Sequence, residues 1–132
     1  MITNMSKFIT GCISDAYNVV LNNPLWGESL WLIHKEGKGI IRCSYEYNEY
    51  PDSMCISDLV VIESERNKGI GTELIKLAEQ IAKNSGFEEI HLAANRYAWT
   101  DNWYRRMGYT AFYEDDTMRY FNKYILNTDE SN

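Results

Sequence analysis

The sequence predicts an α/β (α+β) fold in which a mixed β-sheet of about six strands packs against helices. From residue 29 onward, short runs rich in β-branched and aromatic residues alternate with turn residues, which is typical of strands. Between two of these runs, 57–62 and 89–94, apolar residues recur at helical spacing. A helical connection joins parallel strands and tight turns join antiparallel ones, so we expect a mixed sheet.

The first element predicted is a helix over residues 5–21, because apolar residues recur there at helical spacing, with an interruption at Gly11. Asn22, Asn23 and Pro24 end it, as polar turn formers followed by proline do. This interpretation leaves no room for a strand at the start of the chain.

A three-stranded antiparallel meander is predicted next. Its strands are residues 29–34, residues 40–47 and a run that ends at Ile62, joined by turns at 36–39 and 48–53.

The second half of the chain alternates helices with strands. An apolar stripe predicts a helix from Ile70 to about Lys83. Residues 1–126 are expected to form one domain, with a disordered polar tail at 127–132. The remaining elements are a strand at 89–94, a short helix from Trp99 to Met107, and strands at 110–113 and 118–124.

Charge and cysteine content exclude several classes of function. Thirteen Lys and Arg against nineteen Asp and Glu give a net charge of −6, which disfavours a nucleic-acid partner and attracts a cationic one. Three widely spaced cysteines and two histidines predict neither a disulfide framework nor a metal site. No apolar run approaches the ~20 residues of a membrane span, and no signal-peptide pattern occurs, so we expect a cytoplasmic protein without membrane contacts.

The loop from Arg66 to Thr72 is the most informative stretch for function. Gly69 and Gly71 let the backbone approach a ligand, and the free N–H groups of the following helix form an anion site suited to a pyrophosphate. The loop lacks the Lys-Ser/Thr of a P-loop, and Leu74 replaces the third glycine of a dinucleotide fingerprint. Taken alone, a glycine-containing turn without a ligand remains the alternative.

Arg66-x-x-Gly69-x-Gly71 resembles the acetyl-CoA motif, Arg/Gln-x-x-Gly-x-Gly/Ala, of the GNAT superfamily of N-acetyltransferases. The resemblance covers about residues 29–124 and is weak before them, where members usually open with a strand and one or two helices that wall the acceptor site. It implies a twisted sheet with helices on both faces and two central parallel strands that splay apart around the pantetheine arm. The expected shortened N-terminal region is where this chain departs from the family's pattern.

A second segment, from Trp103 to Tyr109, resembles the family's aromatic-Tyr-x-x-x-Gly-Phe/Tyr motif. About 38 residues separate Arg66 from Tyr104, which leaves room for one helix, one strand and one short helix. The resemblance implies that Tyr104 is the general acid that protonates the coenzyme A sulfur. A packing role for this tyrosine is the alternative.

The resemblance also implies roles for other residues. Asp58 lies where family members acting on small amines often carry an acidic residue, so it is the candidate base or amine anchor, although the acidic residue often found one place earlier is Ser57 here. A strand-end carboxylate paired with a neighbour is the alternative. The residues expected to hold acetyl-CoA are Val60, Val61, Arg66, Asn67, Lys68, Gly69, Ile70, Gly71, Thr72 and Asn95.

The acceptor is expected to be a primary amine on a cationic small molecule or a protein. Glu46 and Asp52, beside tyrosines on the turn after the second strand, are candidates to bind it, and a solvated hairpin tip is the alternative. Since no cysteine has a visible His or acid partner, we expect direct acetyl transfer in a ternary complex.

Two alternatives concern the molecule as a whole. One is a non-catalytic GNAT-like binding module that grips a protein partner, favoured by the atypical N-terminal region. The other is a homodimer in which a second subunit supplies part of the acceptor wall.

Overall fold

The computed structural model describes residues 6–125, which form one mixed sheet of seven strands with two α-helices. The sheet order is β1-β2-β3-β4-β5-β7-β6, and only β4 and β5 pair in parallel, which confirms the predicted fold class. Met5 and the tail predicted at 127–132 lie outside the described residues. The strands are β1 Tyr17–Asn22, β2 Gly27–His34, β3 Gly39–Glu46, β4 Ser53–Val61, β5 Glu89–Asn95, β6 Thr110–Glu114 and β7 Met118–Tyr124; the helices are α1 Ile70–Asn84 and α2 Thr100–Arg106.

The helix predicted over residues 5–21 is wrong. Residues 6–16 are irregular, and β1 pairs with β2 in unbroken antiparallel register from Tyr17 opposite His34 to Asn22 opposite Ser29. The run from Val19 to Leu21 favours a strand, and β2 supplies the backbone hydrogen bonds that complete it. A first strand is therefore present, and the expected three-stranded meander has four strands.

Both helices pack on the same face of the sheet, which corrects the expectation of helices on both faces. We call this the helical face; one cross-strand row of it consists of the buried residues Leu30, Cys43, Ile56, Leu92 and Phe121. The apolar stripe of α1 forms the core with this row, and the ring of Tyr104 in α2 lies 5.8 Å from that of Phe121.

The N-terminal loop also lies on the helical face, where the ring of Phe8 is 5.9 Å from that of Phe87. The N-terminal part of the segment predicted as the first helix therefore also covers the helical face. In the described part of the chain, no helix packs on the other side, the open face, which carries the cross-strand row Val20, Trp31, Arg42 and Ser57.

Candidate active site

The two central parallel strands diverge near their carboxyl ends. β4 and β5 pair only from Ser53 opposite Glu89 to Ile56 opposite Leu92, although β4 continues to Val61. Beyond Ile56, the backbone groups on the facing edges of these strands are free of ladder hydrogen bonds to each other. This divergence is the arrangement that the sequence resemblance implied.

A bulge bends β4 where the strands diverge. The register between β3 and β4 shifts between Ile40 and Arg42, and Asp58 adopts a left-handed conformation with φ 53°. An extra residue of this kind increases local twist and re-aims the backbone that follows. Here the backbone that follows is the segment from Leu59 to Val61, which forms one wall of a cleft.

This cleft, of about 670 Å³, lies between the end of β4, the start of α1 and the helix α2. The structure brings together many of the predicted site residues on its wall: Val60, Val61, Arg66, Asn67, Gly69, Gly71, Thr72 and Tyr104. Predicted residues that do not line it are Asp58, Lys68, Ile70, Asn95, Glu46 and Asp52.

The start of α1 offers unsatisfied donors to the cleft. Gly69 is the N-cap with φ 91°, and no side chain caps the helix, so the first-turn N–H groups are available to a ligand. These N–H groups and the helix dipole favour an anion. The Arg66 Nε donates to the Val61 carbonyl at 3.1 Å, which holds the guanidinium beside the same wall.

Gly71 lies on the cleft wall in the first turn of α1. A Cβ atom on Gly71 would lie 3.5 Å from the Trp103 ring and 3.6 Å from Val61, which is ordinary van der Waals contact. A larger side chain would therefore enter the space above the first turn of α1. Glu65, also on the wall, lies 3.9 Å from both Lys38 and Lys68, which offset its charge near the anion site.

Tyr104 is fixed by the way α2 ends. The Tyr109 N–H donates to the Tyr104 carbonyl at 3.1 Å, and the Gly108 N–H donates to the Arg105 carbonyl at 3.0 Å. Gly108 has φ 96°, so these bonds form a Schellman motif that requires the left-handed conformation glycine adopts freely. The Tyr-x-x-x-Gly-Tyr pattern thus has a structural cause.

The Tyr104 side chain is 7% exposed and lines the cleft. Burial alone raises the pKa of Tyr104 to about 12, so the hydroxyl keeps its proton at neutral pH. A phenol in this state is a hydrogen-bond donor toward a negative charge that develops in the cleft.

Sequence reasoning missed several wall residues. Trp99 and Trp103 stand four positions apart at the start of α2, and Trp99 remains 69% exposed beside the cleft. That spacing of two tryptophans next to the second motif was an available signal. The other missed residues, Leu59, Glu65 and Thr100, carried no signal beyond their neighbourhood. Arg106 also lines the cleft, although the sequence favours a role on the outer face of α2 over a contact with the cofactor phosphates.

The carboxylate of Asp58 forms an ion pair on the open face. Its carboxylate accepts from the Arg42 Nη1 at 3.4 Å, and the Arg42 guanidinium lies 5.6 Å from the centre of the Trp31 ring. Arg42 also donates to the Ser29 hydroxyl at 3.3 Å. The carboxylate of Asp58 is half exposed, so it is both ion-paired and accessible.

A second, smaller cavity of about 140 Å³ lies farther along the open face. Its wall includes Glu46, Glu49, Trp26 and Tyr50. Ser53 and His91 also line it, and the Ser53 hydroxyl lies 2.5 Å from the His91 Nδ1. Burial lowers the pKa of His91, and the charges of Glu89 and Glu46 oppose that effect. Glu46 therefore acts electrostatically on this cavity.

Two predicted residues take local structural roles. The Asp52 carbonyl accepts from the Glu88 N–H at 2.8 Å, and Asp52 lines neither cavity. The Asn95 side-chain oxygen accepts from the Tyr97 N–H at 2.8 Å just past the end of β5.

Two other features are absent from residues 6–125. That range contains no group of three or more His, Cys, Asp or Glu residues placed to hold a metal ion. It also contains no helix long and apolar enough to cross a membrane.

One comparison with known proteins identifies a family. A profile of the acetyltransferase (GNAT) family matches residues 14–109. No curated protein sequence matches the chain.

Solved structures share the fold at low sequence identity. The PaiA N-acetyltransferase from Thermoplasma acidophilum, in complex with coenzyme A, is 20% identical with a TM-score of 0.62, and the match covers 73% of this chain and 59% of that one. An acetyltransferase from Bacillus cereus is 24% identical with a TM-score of 0.61, covering 86% and 80%. An acetyltransferase of the GNAT family from Staphylococcus aureus is 17% identical with a TM-score of 0.60, covering 75% and 68%.

Proposed function

The chain belongs to the acetyltransferase (GNAT) family, and from that premise we propose that it transfers an acetyl group from acetyl-CoA to a primary amine. The observation that carries the proposal is the cleft itself. It combines the free strand edge of β4, the uncapped start of α1 and the buried hydroxyl-bearing ring of Tyr104. These are the parts that thioester binding and charge stabilisation require.

The residues of the cleft fit coenzyme A. The first-turn N–H groups of α1 and the Arg66 guanidinium suit the pyrophosphate, and Gly71 leaves it room. The free edge of Val60 and Val61 suits the amides of the pantetheine arm, and the Val61 N–H is our candidate donor to the acetyl carbonyl. When bound, acetyl-CoA supplies the acetyl group as a thioester and a thiolate leaving group.

In this proposal, Tyr104 donates a hydrogen bond to the leaving sulfur. Because the pKa of Tyr104 is about 12 and an ordinary thiol has a pKa of about 8.5, the proton is held more tightly by the phenol than by a free thiolate. The hydroxyl therefore donates a hydrogen bond that strengthens as negative charge grows on the sulfur.

Direct transfer to the amine fits the protonation state of Cys43 and Cys55. Burial raises the pKa of Cys43 to about 12 and raises that of Cys55, so both stay thiols at neutral pH. Neither thiol lines the cleft, and Cys12 does not line it either. We therefore propose attack by the amine in a ternary complex.

The amine must lose a proton before it attacks, and Asp58 is our candidate to receive that proton or to anchor the ammonium. Its carboxylate is accessible, at the bulge where β4 leaves β5. The net charge of −6 and the second cavity, with Glu46 and Glu49 among aromatic rings, support a cationic acceptor.

The test is calorimetric titration with acetyl-CoA, followed by thiol release with a panel of polyamines, amino sugars and basic peptides. Micromolar binding with release on one class supports the proposal. Absence of acetyl-CoA binding would remove its basis.

The open face favours one alternative, a binding module of the same fold that grips a protein partner. Residues 23–26 join β1 to β2 directly, so no helix there walls an acceptor site. Tyr104→Phe and Asp58→Asn separate the two functions. An enzyme loses turnover and keeps cofactor affinity, whereas a binding module keeps its cellular effect through both changes.

A further inference from the structure

The two edge strands of the described sheet, β1 and β6, differ in their protection against pairing with another chain. In β6 the register shifts between Ala111 and Tyr113, and Glu114 forms ion pairs of 3.0 Å with Arg96 and 2.9 Å with Arg119. Bulges and charged side chains are devices that keep an edge from pairing. The β6 edge is therefore protected.

The β1 edge has neither device. Its sequence, Tyr-Asn-Val-Val-Leu-Asn, contains no charged residue and no proline, and its register with β2 is unbroken. Val19, Val20 and Leu21 are exposed by 38%, 46% and 47%, and Leu25 just beyond is fully exposed. An uncharged apolar edge with unbroken register is able to recruit another strand.

We propose that β1 pairs antiparallel with β1 of a second copy of this chain, which joins two sheets into one across a two-fold axis. Antiparallel pairing of a strand with itself is self-complementary, as a two-fold interface requires. Two chains of net charge −6 repel each other over most of their surface, so an uncharged edge is where they can meet. A cationic partner is disfavoured at this edge, because β1 carries no carboxylate that could bind it.

The register follows from the faces of the strand. Val20 lies opposite Trp31 on the open face, whereas Val19 and Leu21 lie opposite buried residues of β2 on the helical face. Opposed side chains must share a face, and the register that centres the apolar residues places Val20 opposite Val20 of the partner subunit. Val19 then faces Leu21 of the partner subunit.

The length of β1 limits the size of the interface. A six-residue strand is about 20 Å long, so the pairing buries an area at the low end for specific interfaces, and the dimer is reversible. Two strands separate β1 from β4, which puts the cleft about 14 Å from the paired edge at ordinary strand spacing. Dimerisation therefore leaves the cofactor cleft open, and the proposal is independent of the proposed function.

The test is sedimentation velocity of the full chain from low to high micromolar concentration. Wild type should pass from monomer to dimer. Val20→Lys and Val20→Glu each place like charges directly across the axis and should weaken dimerisation about tenfold or more. An equimolar mixture of the two variants should form a heterodimer, because Lys then faces Glu.

Phe112→Lys, at a residue 59% exposed on β6, is the matched control and should dimerise as wild type does. Melting temperatures and acetyl-CoA titration check that the variants fold. If a Val20 variant does not fold, Asn18→Lys, on the same face of β1, takes its place. A wild type that stays monomeric, dimers that persist in the β1 variants, or loss of the dimer in Phe112→Lys would overturn the proposal. A mixture that stays monomeric would overturn the register.

Discussion

At the scale of single residues, Tyr104 and Tyr109 are a matched pair of buried phenols with ring centres 6.0 Å apart. Tyr104 lines the cleft and Tyr109 does not; the Tyr109 hydroxyl donates to the Glu79 carboxylate at 2.9 Å. Tyr104→Phe should lower kcat about 100-fold with little change in KM for acetyl-CoA, since it removes a donor that acts on developing charge. Thiol release under saturating acceptor measures this.

Tyr109→Phe is the control and should keep kcat while losing about 1 kcal/mol of stability through the missing hydrogen bond. The pH profile adds a second check. Burial raises the pKa of Tyr104, so its hydroxyl is protonated below about pH 12, and wild-type kcat should show no alkaline loss from this group up to pH 10. An unchanged kcat in Tyr104→Phe would leave the ring only a packing role.

Asp58 and Arg42 allow the carboxylate to be separated from the ion pair. Asp58→Asn keeps a residue type that tolerates the left-handed backbone, so its main effect is loss of charge. If the carboxylate takes the amine proton, Asp58→Asn should lower kcat/KM about 100-fold. Arg42→Gln breaks the same ion pair and should have a much smaller effect on kcat/KM.

Both variants should melt near the wild-type temperature, because an exposed ion pair contributes at most about 1 kcal/mol. Equal losses of kcat/KM in both variants would show that the pair matters as a structural unit. The sequence singled out Asp58 but not its partner, because Arg42 lies 16 residues away and reaches it only through the pairing of β3 with β4.

At the scale of elements, the start of α1 can be tested through Gly71. Gly71→Glu puts a side chain and a negative charge at the anion site and should weaken acetyl-CoA binding at least about 100-fold. Gly71→Ala adds only a methyl group at ordinary contact distance from Trp103, and should retain binding with a slight gain in helix stability. Isothermal titration of both variants decides; equal affinities would refute the assignment of the loop.

The end of α2 can be tested through Gly108. Gly108→Ala forces a side chain into the left-handed region at φ 96° and against the Lys123 side chain at 3.3 Å. It should cost about 1–2 kcal/mol and lower kcat, because Tyr104 is held by the same motif.

Gly37→Ala, at φ 74° with open space around its Cβ position, is the matched control. It should lower the melting temperature by a similar amount and leave kcat unchanged. If both variants lose only stability, the end of α2 does not govern the position of Tyr104.

The sequence predicted the elements whose signals are local. The strand before the loop, the helix after it and the glycine that ends α2 follow from β-branched runs, helical spacing and backbone freedom. The start of the chain was mispredicted because the residues from Val19 to Leu21 fit either a helical stripe or a strand. Pairing with β2 makes these residues a strand, and a local sequence pattern contains no information about that pairing.

At the scale of the whole molecule, helices cover only one face of the described sheet, so the helical face and the open face present different surfaces. The cleft with its anion site lies on the helical face, while Asp58, Arg42 and the second cavity lie on the open face. The divergence of β4 and β5 begins between these two surfaces. We therefore expect the acceptor to approach from the open face, where carboxylates and aromatic rings are accessible.

If the acceptor is cationic, as proposed, its KM should depend on salt. A chain of net charge −6 attracts a polyamine, and added salt screens the attraction, so KM for a polyamine should rise with ionic strength while kcat stays constant. A singly charged amine should show a weaker rise. Glu46→Gln should raise KM for the polyamine and flatten its salt dependence, because Glu46 lines the second cavity.

Glu36→Gln makes the same change in net charge at a side chain that is 71% exposed, beside Lys38 and away from both cavities. If Glu36→Gln and Glu46→Gln shift the polyamine KM equally, only the overall charge attracts the acceptor and the second cavity has no specific role. A shift confined to Glu46→Gln indicates that the cavity holds a distal ammonium group, because a change in net charge alone acts alike at both positions.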